Sequence, residues 1–298
     1  MTVTVQMQSV LYYNEKNSIQ KTMESIANAV RVAGERGYEI RVTLSYGDSS
    51  KEPLYTEEEL EEIRERYRED FTFRYRFFGF NSGSARGQSE LAKETECEYV
   101  FIMNPDVILA PDFFEHILKP FEDGQTAMAE ARQIPMEHAK EYDRETFETP
   151  WTTGACTMVR TEVFREVGYY DYESFFMYCD DVDLAWRIRL KGYKLIYQPA
   201  ATVYHAKRLS SAGEWLPSQA EIYYSAQAAI FMAYKWSRED LLEQKLEEYR
   251  SSGREDLAKI AEDFDKRRRE GRLPEQLDGE HKIGYFEDGR YAKHRYIV

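Results

Sequence analysis

The chain has 298 residues, and its hydrophobic content of 42% with 14% aromatic residues is typical of a globular protein with one large domain or two small ones. A formal net charge of −14 argues against nucleic acid as a partner, because it repels the phosphate backbone, but it suits a divalent cation wherever carboxylates converge. Its three cysteines include no CxxC pair, and no apolar run is long enough to span a bilayer, so we expect a cytoplasmic protein without a transmembrane segment. Peripheral contact with the inner face of the membrane stays open.

Strands and helices alternate along the first 110 residues. The chain opens with Val3, Val5 and Met7 alternating with polar residues, which predicts a strand, and apolar residues at helical spacing follow it. This order indicates an α/β fold with a mainly parallel central sheet flanked by helices, in which ligands bind at the carboxyl ends of the strands. We predict strands at the start of 2–15 and over 38–50, 71–78 and 97–109, with helices over 15–36, 56–69 and 81–95.

The pattern is mixed between residues 110 and 205, and the chain is helical and highly charged after residue 217. We therefore predict two domains, with a boundary between residues 210 and 211. We interpret the C-terminal helical extension, 211–298, as a packing or homodimerisation element, with a role near the acceptor or the membrane as the alternative. The predicted elements are a helix over 111–121, strands over 126–134 and 154–160, a helix opened by Asp180, a strand ending at His205, two helices in 238–270 broken at 251–253, and a hairpin in 281–298.

The turn Asn104-Pro105-Asp106 follows a strongly apolar strand. Pro105 fixes its own backbone and keeps Asn104 out of the helical region, so Asp106 is presented rigidly at the edge of the sheet. A rigid carboxylate suits a metal ion, although the same residue can also cap the helix that begins near Pro111.

Three carboxylates, Asp180, Asp181 and Asp183, open a predicted helix directly behind an aromatic run. A helix N-terminus favours each acid by about 0.3–1 kcal/mol, so capping explains one or two of them. A carboxylate beside an aromatic wall can instead act as a general base. His205 closes the same stretch, and a lone histidine is more often structural than a metal ligand.

A glycine-punctuated turn, Asn81 to Ser89, leads into a helix. Backbone amides at such a start suit a phosphate or a ribose, and Arg86 adds positive charge. The turn is neither a Walker loop nor a GxGxxG motif, so alone it is weak evidence.

Taken in this order, the motifs resemble those of the family 2 glycosyltransferases, which have the GT-A fold. The likeness is greatest to the bacterial rhamnosyltransferase-like branch, which builds surface polysaccharides, and it covers roughly residues 3–206. The matching positions are Tyr13-Asn14, Asn81, Gly83 and Gly87, Asn104-Pro105-Asp106, Trp151, Gly154, the acidic pair Asp180-Asp181, and His205.

The resemblance implies an inverting transfer from a nucleotide-diphosphate sugar to a glycan, lipid-linked or other hydroxyl acceptor. It makes Asp181 the base that deprotonates the acceptor hydroxyl, and it makes Asp106 and His205 ligands of Mn²⁺ or Mg²⁺. Asp180 would hydrogen-bond sugar hydroxyls. The other residues expected to bind donor or acceptor are Tyr13, Asn14, Asp48, Asn81, Gly83, Arg86, Gly87, Asn104, Trp151 and Gly154.

The sequence departs from the family pattern after the second strand. Ser45 stands where an acid usually recognises the nucleotide, and Asp48, three residues later, is the candidate replacement. Two alternatives therefore stay open: a non-catalytic relative that binds sugar nucleotides, and a sugar nucleotidyltransferase. The second is disfavoured because no Gly-rich loop with Lys or Arg follows the first strand.

Overall fold

The computed structural model describes residues 2–137, 141–205, 218–287 and 289–291. The strands are β1 (Val3–Leu11), β2 (Ile40–Asp48), β3 (Thr72–Phe77), β4 (Tyr99–Met103), β5 (Ile108–Leu109), β6 (Thr126–Ile134), β7 (Cys156–Arg160), β8 (Lys194–Tyr204), β9 (Phe286–Glu287) and β10 (Arg290–Tyr291). The helices are α1 (Lys16–Glu35), α2 (Glu57–Tyr67), α3 (Gly83–Lys93), α4 (Phe113–Ile117), α5 (Thr161–Glu166), α6 (Asp180–Leu190), α7 (Gln219–Lys235), α8 (Glu239–Ser251) and α9 (Glu255–Arg269).

The central sheet is mixed and eight-stranded across the described residues, in the order β3-β2-β1-β4-β7-β6-β8-β5. Strands β3, β2, β1 and β4 are parallel, whereas β7 is antiparallel to both of its neighbours, β4 and β6. Strand β8 is parallel to β6, and the short β5 is antiparallel to β8. Six of the strands therefore share one direction, which confirms the mainly parallel α/β prediction and brings the ends of β1, β2, β4, β6 and β8 to one edge.

Two hydrophobic clusters lie on opposite faces of this sheet. Strand β4 contributes to both of them, because alternate side chains of a strand point to opposite faces. Phe101 packs in the cluster that contains the apolar side of α1, and Ile102 packs in the cluster that contains α6 to α9. Burial on both faces explains why the sequence of β4 is a continuous apolar run.

Several predicted elements differ from the structure in their extent. The expected strand over 97–109 is two strands, separated by the turn at 104–107, because β5 pairs with β8 instead of continuing β4. The expected helix over 111–121 is the short α4 followed by a 3₁₀ turn at Lys119–Glu122, and α5 was not predicted.

The C-terminal region is helical, as predicted. Helices α8 and α9 break where 251–253 indicated, and β9 pairs with β10 in an antiparallel hairpin. The proposed boundary at 210/211 and the rest of the tail lie outside the described residues. In the described part of the chain, no helix combines the length and the apolar character that crossing a membrane requires.

Helix α7 binds α6 and the loop that precedes it through a buried ionic cluster. The ammonium group of Lys235 lies 2.7 Å from Asp171 Oδ2 and 2.8 Å from Asp183 Oδ1. Asp183 Oδ2 accepts from Arg187 Nε at 2.8 Å, and its Oδ1 also lies 3.2 Å from Trp236 Nε1. Asp183 is fully buried, so it is a structural carboxylate rather than part of a cleft.

Stability is expected to fall in acid through Asp171. Burial by itself would raise the pKa of Asp171. Lys235 and hydrogen bonds from Ser174 outweigh this effect, and they hold the pKa below its ordinary value. The folded state therefore holds this proton more weakly than the unfolded state does. The stabilisation is fully present above the ordinary Asp pKa of about 3.9, and it is lost as pH falls through the lower folded-state pKa.

Urea unfolding at several pH values between about 7 and about 2 measures this dependence. The Asp171→Asn variant is expected to show a shallower loss of stability in the acid range. An equal slope for both proteins would contradict the assignment.

Candidate active site

The first part of the site is the turn that follows β4. Asn104 continues the sheet by donating its backbone N–H to Ala155 O at 3.0 Å, and its own carbonyl accepts from Val107 N at 3.2 Å. The turn leaves the Asp106 carboxylate 39% exposed at the carboxyl edge of the sheet. Asp106 is thus presented as the sequence predicted, and it does not cap α4, whose N-cap is Asp112.

His205 follows β8 and lies beside this turn. Its Nδ1 is 2.7 Å from Gln133 Oε1, an acceptor, so Nδ1 carries the proton and Nε2 keeps its lone pair. Nε2 lies 3.2 Å from Asn104 Nδ2 and 3.6 Å from Asp106 Oδ1. The buried carboxamide of Gln133 therefore favours the tautomer in which Nδ1 carries the proton, and Nε2 is the nitrogen that faces Asp106.

The pair Asp106 and His205 fits a divalent ion that is shared with a ligand. Mg²⁺ and Mn²⁺ sites commonly use one or two protein ligands and complete their shell with phosphate oxygens and water. Among the described residues, no group of three or more His, Cys, Asp or Glu side chains could hold a metal by itself.

The loop before β7 connects this pair to the acidic helix. Gly154 N donates to Asp181 Oδ2 at 3.1 Å, while the next residue, Ala155, accepts from Asn104. The preceding amide, Thr153 N, donates to the buried carboxylate of Glu130 at 2.9 Å. Two consecutive residues, Gly154 and Ala155, thus connect Asp181 and the turn at 104–107 through one short loop.

Asp180 and Asp181 sit at the start of α6 behind an unusual backbone turn. Tyr178 and Cys179 have φ values of 68° and 59°, in the left-handed region that non-glycine residues rarely adopt. Asp181 Oδ1 accepts from Val182 N at 2.9 Å, and the two acids are 8% and 6% exposed. Burial, together with the charges of Asp180 and Asp181, raises the pKa of Tyr170, whose hydroxyl therefore stays protonated beside them.

The ends of β1 and β2 form another wall of the same edge. Tyr13 is 63% exposed with a φ of 53°, and its N–H donates to Ser50 Oγ at 2.9 Å. Asn14 Oδ1 accepts from Tyr12 N at 2.8 Å, which fixes the turn that presents both rings. An exposed aromatic pair at the strand ends suits stacking against a planar base.

Asp48 is fully buried at the end of β2. One carboxylate oxygen accepts from Ser50 N at 2.9 Å, and the other accepts from Leu54 N at 2.8 Å and from the Tyr75 hydroxyl. Both oxygens therefore shape the loop after β2. A direct contact between this carboxylate and a nucleotide would require these bonds to be exchanged.

Close packing leaves no room for a side chain at two glycines of α3. Gly87 packs against β1, where an added Cβ would lie 2.5 Å from Val10 Cγ2. Gly83 has a φ of +66°, its N–H donates to Asn81 Oδ1 at 3.1 Å, and an added Cβ would lie 2.5 Å from Phe176 O. The backbone at 83 thus lies against the segment that leads to Asp180 and Asp181.

A Gly83→Ala substitution is expected to destabilise the fold by roughly 1–3 kcal/mol, because the methyl group meets backbone and the φ is unfavourable. Thermal or urea unfolding measures this loss. The matched control is Gly34→Ala in α1, where nothing lies within 4 Å of the added carbon and helix propensity predicts a gain of roughly 0.5–1 kcal/mol. Equal effects at the two positions would contradict the close approach at Phe176.

Arg86 and Trp151 occupy different environments. Arg86 is exposed, with its guanidinium 4.7 Å from the ring centroid of Phe80 and 5.7 Å from that of Tyr172. Trp151 is only 2% exposed and packs in the same core cluster as α6. Arg86 can therefore contact a ligand directly, whereas Trp151 supports the loop at 152–155 from the core.

The structure thus brings Asp106, His205 and Asn104 into contact and links them to Asp181 through the loop at Gly154. The roles of Gln133, Glu130 and Lys235 were not predicted. Gln133 had one signal in the sequence, a polar residue in the otherwise apolar inner face of β6. The partners of Glu130 and Lys235 come from distant parts of the chain, so no local sequence pattern predicts these contacts.

Comparison with known proteins agrees with this geometry. The family model described as Glycosyl transferase family 2 matches residues 10–168. A relative from Mycobacterium tuberculosis, N-acetylglucosaminyl-diphospho-decaprenol L-rhamnosyltransferase, is 36% identical over 87 residues, which are 29% of this chain and 27% of that protein. The match therefore spans little more than a quarter of the relative's length.

Two solved structures share the fold. The structure of GalNAc-T7 with UDP, GalNAc and Mn²⁺ has a TM-score of 0.62 and 14% identity, covering 89% of this chain and 55% of that one. The mannosyltransferase PcManGT from Pyrobaculum calidifontis, in complex with GDP-Man and Mn²⁺, has a TM-score of 0.53 and 16% identity, covering 88% and 79%. These likenesses establish the GT-A architecture.

Proposed function

The chain belongs to glycosyl transferase family 2, whose model matches more than half of its residues, and from this premise we propose that it moves a sugar from a nucleotide-diphosphate donor to an acceptor hydroxyl with inversion. The observation that carries the proposal is the contact between His205, Asn104 and Asp106, joined to Asp181 through Gly154 and Ala155. It supports a site in which a diphosphate and a hydroxyl meet at one edge of the sheet.

Asp181 is the proposed general base. Each of its oxygens accepts one backbone N–H, from Gly154 and from Val182, so the carboxylate is held in a fixed direction. A carboxylate held in this way can act as a general base that takes the proton of an acceptor hydroxyl. The hydroxyl oxygen then bonds to the anomeric carbon as the bond to the diphosphate oxygen breaks, on the opposite face of the sugar.

Asp106 and His205 are the proposed ligands of Mn²⁺ or Mg²⁺. When bound, such an ion neutralises the charge that develops on the leaving diphosphate. The chain needs this help, because a formal net charge of −14 otherwise repels a nucleotide diphosphate. Gln133 contacts Nδ1 of His205, so that Nε2 faces Asn104 and Asp106.

The donor nucleotide is proposed to lie across the ends of β1 and β2 and the start of α3. The exposed rings of Tyr12 and Tyr13 can stack against the base, and the exposed Asn81 lies at the start of α3, whose N-terminus favours negative charge. We place Asp180 at the sugar hydroxyls. Asp48 then acts on the nucleotide only through the loop that it shapes.

The acceptor is proposed to be a lipid-linked saccharide in polysaccharide synthesis, at the cytoplasmic face of the membrane. The name of the mycobacterial relative, which specifies a diphospho-decaprenol acceptor and rhamnose transfer, supports this choice. The cysteines, which carry thiols rather than disulfides, are in keeping with a reducing compartment.

A thermal-shift screen of UDP-, GDP- and dTDP-sugars, with and without Mn²⁺, tests donor binding. A ligand at about 100 times its Kd is expected to add about 2.7 kcal/mol to the free energy of unfolding. Slow hydrolysis of the same donor should follow, because an intact centre can use water as the acceptor. Stabilisation by a donor without any hydrolysis or transfer would favour the non-catalytic alternative, and no stabilisation by any donor would contradict the proposal.

A further inference from the structure

The segment Asp171–Asp183, here called the acid segment, makes several of its contacts with helix α7. The Tyr178 hydroxyl donates to Glu221 Oε1 at 2.8 Å, near the first turn of α7. The ring of Phe176 stacks on Tyr224 with centroids 4.5 Å apart. The C-terminal extension therefore contacts the stretch that presents Asp180 and Asp181 along much of its length.

Lys235, at the last turn of α7, closes this segment at both ends. Its ammonium group bonds Asp171 at the beginning of the segment and Asp183 at its end. The side chain is only 6% exposed, and the ammonium also lies 5.6 Å from the ring centroid of Phe175 in the middle of the segment. One buried cation thus draws two carboxylates, distant along the chain, to a single point.

The turn inside the segment has a strained backbone that needs support from its surroundings. Tyr178 and Cys179 are both left-handed, and strained backbone of this kind costs of order 1–3 kcal/mol per residue unless the surroundings impose it. Cys179 is also the N-cap of α6 and offers no side-chain cap. The geometry of Asp180 and Asp181 is therefore imposed by packing rather than by local preference.

We propose that Lys235 is a positioning residue, which clamps Asp171 to Asp183 and so sets the turn that aims Asp181 at the acceptor. This inference rests on the proposed function of Asp181, and it assigns to the C-terminal helices a direct part in the geometry of transfer. Lys235 itself does not touch the reacting groups.

The test uses the full chain with the double substitution Lys235→Met and Asp171→Asn. It removes the clamp without a change in net charge, and Asp183 keeps its bonds to Arg187 and Trp236, so no buried charge is left alone. We expect kcat for transfer to fall about 10- to 100-fold, since small misplacements of a reacting group have effects of this size. The donor KM is expected to stay within about twofold, and amide hydrogen exchange over 176–183 is expected to accelerate.

The matched control is Leu246→Ala in α8. Leu246 is fully buried among the C-terminal helices, so this variant loses stability without removing any polar bond of the acid segment. It is expected to keep kcat within about twofold below its melting temperature and to leave exchange over 176–183 unchanged. A merely structural role of Lys235 predicts instead that both variants lose kcat together, in proportion to their stability.

Unchanged kcat and unchanged exchange over 176–183 in the double variant would overturn the proposal. Failure of the proposed function is distinguishable, because the wild-type chain would then neither bind nor use a nucleotide sugar. The exchange measurement decides in that case whether Lys235 sets the conformation of the segment.

Discussion

Replacement of Asp181 by asparagine is expected to slow sugar transfer by about 10²–10⁴-fold, the usual contribution of a positioned general base. Asparagine is nearly isosteric, and its carbonyl can still accept an N–H from Gly154 or Val182, so the start of α6 should keep its shape. What is lost is the negative charge that takes the proton of the acceptor hydroxyl. Steady-state kinetics with saturating donor and acceptor measures the change in kcat.

Donor affinity in the Asp181→Asn variant is expected to match that of the wild-type protein, because the proposed metal ligands are elsewhere. A suitable control is Asp265→Asn on α9, which removes a carboxylate that pairs with Arg250 on the surface. That variant should transfer at the normal rate. Near-normal transfer by Asp181→Asn would rule out this residue as the base.

The Asp106→Ala variant is expected to lose the Mn²⁺-dependent part of nucleotide-sugar binding. Outer partners of metal ligands typically account for 10- to 100-fold in metal affinity, and the loss of a ligand should cost at least as much, so we expect a decrease of about 100-fold or more. Titration calorimetry of the nucleotide diphosphate with and without Mn²⁺ measures this difference. The metal-independent remainder of the affinity should be unchanged.

A companion variant, Gln133→Leu, tests the same site through the tautomer of His205. It removes the acceptor 2.7 Å from Nδ1 without altering Asp106, and a smaller loss of about 10- to 100-fold in metal affinity is expected. We expect the metal affinity to be highest in the wild-type protein, lower in Gln133→Leu and lowest in Asp106→Ala. This order is specific to a metal held by Asp106 and His205. Equal nucleotide affinity with and without Mn²⁺ in the wild-type protein would contradict the assignment of Asp106 and His205 as metal ligands.

Local patterning predicted the central part of the fold well. Alternation in β1 and β3, helical spacing in α1 and the unbroken apolar run of β4 each follow from burial on one face or on both. The break between β4 and β5 was missed, because β5 is a separate strand only through its pairing with β8, from almost one hundred residues later. Pairing across such distances leaves no periodic signal.

The candidate site was predicted in outline through the resemblance, but not in its supporting contacts. The neighbouring positions of Asp106 and His205 agree with that prediction. Asp183 looked like a third acid of the same group, yet it faces the core and binds Lys235 and Arg187. The sequence could not distinguish these acids, because a one-residue step along a helix turns a side chain by about 100° and changes its partners entirely.

Strand β3 ends the central sheet on one side, and within the described part of the chain no strand pairs with its outer row of backbone N–H and C=O groups. An open row of this kind can template association with another chain. Arg74 and Arg76 of this strand are exposed and alternate with Phe73 and Tyr75, and Arg76 forms ion pairs with Glu90 and Glu94. Charged side chains on an edge strand oppose its pairing with another chain, so neutral replacements of Arg74 and Arg76 are expected to increase self-association.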